Sequence, residues 1–135
     1  MKKLVGSDSH LEESIGFSRA CRIGDYISVS GTAPISKGET VHIGDVYSQT
    51  KYCLELSILA VEEAGGNIQD VIRTRIMLTD ISRWKEAAQA HGELFSAIKP
   101  ACTFVEIKRF IDKQWLVETE VDCVVTPLKS TSTGE

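Results

Sequence analysis

A chain of 135 residues, 42% hydrophobic and 25% charged, has the size and balance of one globular domain and can bury roughly two-thirds of its unfolded surface. Its 15 basic and 19 acidic residues leave a net charge of −4, so no basic field exists to hold a phosphate backbone and no nucleic-acid partner is expected. No apolar run approaches a membrane span and Met1 to Ser14 turn polar before a signal-peptide core forms, so the expectation is a cytoplasmic protein without a membrane partner.

Residues 15–21 and 25–32 predict two short strands around the turn Arg22-Ile23-Gly24-Asp25. The second ends on Gly31, where a ligand or another backbone can approach closely. Residues 33–44, with Pro34, Gly38 and Gly44, predict a loop. A helix follows over 49–64. Tyr52, Leu56 and Leu59 form one apolar row and Leu54, Ile58 and Val61 another, and Gly65-Gly66 ends it. Residues 71–79 alternate, Ile72, Thr74, Ile76 and Leu78 against Arg73, Arg75 and Met77. Asp80 or Ser82 caps a second helix whose stripe is Ile81, Trp84, Ala88, His91, Phe95 and Ile98, stopped by Pro100. Strands over 102–108 and 115–125 close the order.

This order predicts an α/β (α+β) fold, a mixed sheet with two helices on one face. A single domain spans 1–135, with an ordered core over about 15–127 and a flexible tail at 129–135. The uncovered face carries Arg73, Arg75, Glu118, Glu120 and Asp122, a set that suits either a solvated face or a subunit interface. Cys21, Cys53, Cys102 and Cys123 show no C-x-x-C spacing and read as free thiols, with neither a disulfide framework nor a metal site.

Several segments, in order, resemble the RidA (YjgF) family. They are Ser28-Val-Ser-Gly31, Gln49-Thr-Lys-Tyr-Cys-Leu54 closing on Ala64-Gly65, Asp70-Val-Ile-Arg-Thr-Arg-Ile-Met-Leu-Thr-Asp80, Pro100-Ala-Cys102-Thr-Phe104-Val105 and Val117-Glu-Thr-Glu120. The resemblance implies a chorismate-mutase-like fold and a homotrimeric barrel, with small-molecule sites in the clefts between neighbours. It also implies hydrolysis of imines or enamines to ketones and ammonia, without a metal or organic cofactor.

Carried onto this sequence, the family pattern makes Glu118 the water-holding, catalytic carboxylate, with Ser30 and Gly31 beside it. The family's substrate-anchoring arginine stands at Cys102, and its pocket tyrosine at Phe17. A thiol cannot form a two-pronged bond to a carboxylate, so an altered substrate, or a non-catalytic trimer binding a metabolite or protein partner, is expected. Ribonuclease activity is the remoter reading, opposed by the acidity of the chain. Phe104, in the motif with Cys102, and His91, on the second helix, are further pocket candidates. Residues 15–21 as a strand would put Phe17, Arg19 and Cys21 on one face. Arg19 would then reach the same cleft as a replacement anchor for a carboxylate-bearing ligand. The plainer alternatives are a packed histidine, an inert thiol, an exposed arginine and, for Glu118, an ion pair with Arg73 or Arg75.

Overall fold

The computed structural model describes residues 1–7 and 9–127; the tail expected at 129–135 lies outside them. Among the described residues, eight strands and three α-helices follow one another. They are β1 (Lys2–Val5), α1 (Leu11–Ile15), β2 (Ala20–Ile23), β3 (Tyr26–Thr32), β4 (Ile35–Ser36), β5 (Glu39–Thr40), α2 (Val46–Glu63), β6 (Val71–Leu78), α3 (Trp84–Phe95), β7 (Ala101–Glu106) and β8 (Val117–Val124). Six strands form one mixed sheet in the order β1-β2-β3-β8-β6-β7. Among the described residues only the β6–β7 pair is parallel, the arrangement that requires a crossover, and α3 provides it. The fold is α+β, with α2 and α3 against one face, as expected.

Strand periodicity fixes the two faces. Thr74, Ile76 and Leu78 of β6 and Val117, Thr119, Val121 and Cys123 of β8 are buried beneath the helices, while Arg75, Met77, Glu118, Glu120 and Asp122 take the open face. Ile72 was expected inside but is exposed. A bulge at the start of β6, between Val71 and Arg73 in its pairing with β8, gives the buried place to Val71 instead.

The helices depart from their expected faces. The core side of α2 carries Cys53, Leu54, Ser57, Ala60 and Val61, whereas Leu59 is exposed. Small residues let α2 lie close to the sheet, so the large apolar row lies partly outside. The helix begins at Val46, ahead of the expected residue 49, because Asp45 caps it, accepting from the Ser48 amide at 3.0 Å and the Ser48 hydroxyl at 2.8 Å. In α3 the buried residues are Ala87, Ala90 and Phe95, and Ile81 and Trp84 are exposed.

The N-terminal part departs most. The ordered core expected from about residue 15 starts at Lys2, because β1 pairs with β2 in antiparallel register. The strand expected over 15–21 begins only at Ala20. Residues Leu11–Ile15 are helical, and Gly16 terminates them with φ 92°.

Candidate functional site

Glu118 lies near the start of β8, opposite Met77 of β6. A register irregularity in β3, between Val29 and Thr32, brings Gly31 against its carboxylate. A Cβ added to Gly31 would stand 3.0 Å from Glu118 Oε1, so the bare backbone leaves that oxygen its place. The other two carboxylates of the face are engaged. Arg75 Nη1 lies 3.4 Å from both Glu120 and Asp122, and the Ser28 hydroxyl donates to Asp122 at 2.7 Å. Arg73 donates instead to Thr103 Oγ1 at 2.7 Å. The ion-paired alternative therefore describes Glu120 and Asp122, but not Glu118, which has no salt bridge among the described residues. Burial holds the Glu118 carboxyl above its ordinary pKa, the Glu120 charge adds to this, and Arg19 opposes it.

Phe17 and Arg19 do not share a strand face, because residues 15–19 are not strand. Phe17, 39% exposed, lines a groove of about 570 Å³ with Lys2, Leu4, Glu12, Cys21 and Ser30. Arg19 turns away and donates from Nη1 to Thr32 Oγ1 at 3.0 Å. That hydroxyl is buried; it donates to the Ser30 carbonyl at 2.9 Å and lies 3.1 Å from Ser57 Oγ. Ser30 is itself fixed, its hydroxyl donating to the Ser18 carbonyl at 2.6 Å. Ser30 thus joins the groove that Phe17 lines to the end of β3, where Gly31 meets Glu118 and Arg19 is tied to Thr32.

The remaining candidates form a second constellation. Cys102 and Phe104 are register partners of Thr74 and Ile76, so both turn to the helix side of the edge strand β7. His91 Nε2 lies 2.8 Å from Thr74 Oγ1, its ring 4.7 Å from Phe95 and 6.5 Å from Phe104. Burial lowers its pKa, which favours the neutral imidazole. Cys102 is exposed at the edge. From β3 to β7 is three inter-strand steps, roughly 14 Å, so Gly31 and Cys102 of one chain do not meet. Among the described residues no cluster of three or more His, Cys, Asp or Glu side chains could hold a metal ion.

Sequence reasoning missed Thr32 and Ser57, and the groove wall built by Lys2, Leu4 and Glu12. Ser57 had a signal. Cys53, Ser57 and Val61 recur every four residues, which sets a hydroxyl on the inner row of α2. The wall had none, since it depends on β1 and α1 folding back over the sheet.

Comparison with known proteins agrees with the fold. The chain is 40% identical over 119 residues to an uncharacterized protein of Streptomyces coelicolor, covering 87% of this chain and 88% of that protein. It is 35% identical over 106 residues to a RutC family protein of Pyrococcus abyssi, covering 77% and 82%. The crystal structure of a member of the YjgF/YER057c/UK114 family from Mycobacterium tuberculosis superposes with a TM-score of 0.84 at 38% identity, over 93% of this chain and 100% of that one. Residues 8–125 match the family described as endoribonuclease L-PSP, and the chain therefore belongs to this family, the YjgF/RidA family that its motifs resemble.

Proposed function

We propose that this chain hydrolyses imine- or enamine-type small molecules in clefts between the subunits of a homotrimer, with Glu118 managing the protons. The observation that carries this reading is the half-buried Glu118 carboxylate, unpaired among the described residues and set against Gly31. Burial brings its pKa upward, and a general base gains from a pKa nearer the working pH. In the reaction, water adds to the carbon of the protonated C=N group as Glu118 takes its proton, giving a neutral carbinolamine. Glu118 returns that proton to nitrogen, then takes the hydroxyl proton as C=O forms and the C–N bond breaks; ketone and ammonia leave, and ammonia or solvent carries the last proton off Glu118. An enamine enters the same course after protonation at carbon.

Two features support a site completed by a second copy. The groove constellation and the Cys102–Phe104 edge lie on different strands and faces of one chain, and the β7 edge is exposed at Cys102 and Val105. A neighbour presenting that edge to the groove would bring Phe17, Ser30 and Glu118 together with His91, Cys102 and Phe104. The altered substrate follows from Cys102 in the anchor position and from Arg19, whose guanidinium is tied to Thr32. The ligand is then an imine or enamine without dependence on a free carboxylate. The test is ammonia release over a panel of amines and imines, native against Glu118→Gln. Native turnover that falls at least about tenfold in the variant supports the reading, given the usual share of general acid–base catalysis. A native chain that releases no ammonia across the panel yet binds panel members in the crystal favours the non-catalytic alternative.

A further inference from the structure

Arg19 was expected to face a ligand, but its surroundings give it a different task. Its Nη1 is tethered 3.0 Å from Thr32 Oγ1. Thr32 follows Gly31, the residue whose added Cβ would meet Glu118 Oε1 at 3.0 Å, and pairs across the sheet with Thr119, the residue after Glu118. The tether is anchored from below: Ser57 Oγ of α2 lies 3.1 Å from Thr32 Oγ1 and 3.0 Å from the Cys53 carbonyl. Arg19 is half-buried, so little freedom remains for the guanidinium to swing toward a ligand in the groove. Its charge is thereby fixed at the bend of β3 that receives the Glu118 carboxylate.

We propose that Arg19 is a positioning residue for Glu118, its guanidinium tethered to Thr32 so that a fixed positive charge stands beside the Gly31 bend that receives that carboxylate. The role rests on Glu118 being the working carboxylate, as proposed above. The groups that face Glu118 from each packed element make the assignment specific. Glu120, on its own strand, disfavours its ionisation, and Arg19 is the cation acting on it. From α2 comes Cys53, a buried thiol whose pKa is pushed far up by burial, next by the Glu118 charge, while Arg19 opposes. From β6 comes Met77, and from β3 Ser30 and Gly31, all uncharged. Arg75, a cation on the open face, is spent on Glu120 and Asp122. A guanidinium suits the task because it stays charged at every working pH and keeps one arm for the tether.

The experiment is a carbon-13 NMR titration of the glutamate carboxyls in the native chain, Arg19→Met and Thr32→Val, with the Glu118 resonance identified by its loss in Glu118→Gln. Removing the charge should move the Glu118 titration to higher pH in Arg19→Met, and releasing the tether should move it the same way by less in Thr32→Val. The acid limb of the pH–rate profile should move to higher pH with it, so that kcat falls on that limb while KM stays near its native value. A Glu118 titration unchanged in folded Arg19→Met overturns the inference. Should that variant not fold, Thr32→Val decides, and an unchanged titration there overturns it equally. The titration reads the coupling whether or not the chain turns over any substrate. Native protein with the coupling intact but no ammonia release would defeat the enzymatic reading and leave this one standing.

Discussion

Glu118 and His91 carry opposite linkages to pH. The folded chain holds a proton on Glu118 more tightly than the unfolded chain does, because its pKa is raised by burial and then by Glu120. Its contribution to stability is therefore greatest below the ordinary carboxylate range and is lost as pH rises through the raised pKa. Glu118→Gln should melt above the native protein at pH 7, and the difference should close toward pH 4; thermal unfolding across that range measures it. His91 works in reverse. Burial lowers its imidazole pKa and the ring is bonded to Thr74, so the folded state takes up less readily the proton that the unfolded state accepts near pH 6.5. Acidification from pH 7 to 5 should lower the native melting temperature more than that of His91→Gln, and equal losses would contradict the assignment. At this scale the Val-Glu-x-Glu motif singles out Glu118 from carboxylates of equal spacing, and it is the one of the three without a salt bridge among the described residues. The strand face expected to carry Phe17 and Arg19 together is absent for a physical reason. A period-two pattern was extended over residues 15–19, but Gly16 turns the backbone there with φ 92° and breaks the shared face.

Among the elements, α2 shows how a helix end is locked by a distant strand. Gly65 follows it with φ 97°, and a Cβ there would stand 2.6 Å from Arg22 Nη1, the group that donates to the Ala64 carbonyl at 2.8 Å. Gly65→Ala should therefore cost about 1–3 kcal/mol, combining left-handed backbone strain with a disturbed cap. A lower urea midpoint at unchanged slope would measure it. The two glycines that end α2 were legible because that turn needs them. The inner face of α2 was not, because the large apolar residues dominate the helical periodicity, whereas close packing on the sheet selects Cys53, Ser57 and Ala60. β1 was equally hidden. A four-residue edge strand that begins with two lysines needs only backbone pairing, and charge on an edge is how a sheet avoids aggregation. Such a strand leaves no alternation to read.

For the whole molecule, the strand order was beyond local periodicity. The parallel β6–β7 pair and the insertion of β8 between β3 and β6 depend on long-range pairing, which the family motifs carried and the periodicity did not. The open face combines the Arg75–Glu120–Asp122 cluster with exposed Tyr26, Ile72 and Val124, a mixture suited to an interface that is charged at its centre and apolar at one end. Sedimentation should report about three times the 14.9 kDa chain mass, and a stable monomer at micromolar concentration would remove the intersubunit cleft. The most direct test of the proposed activity compares ammonia release from 2-iminopropionate and from an imine lacking a carboxylate, in the native chain and in Cys102→Arg. Loss of a two-pronged charge-assisted contact costs on the order of 2–4 kcal/mol, roughly thirty- to a thousandfold in rate. The native chain should favour the uncharged imine, and Cys102→Arg should raise turnover of 2-iminopropionate by a factor in that range. Vigorous native turnover of 2-iminopropionate, unchanged by the added arginine, would contradict the account.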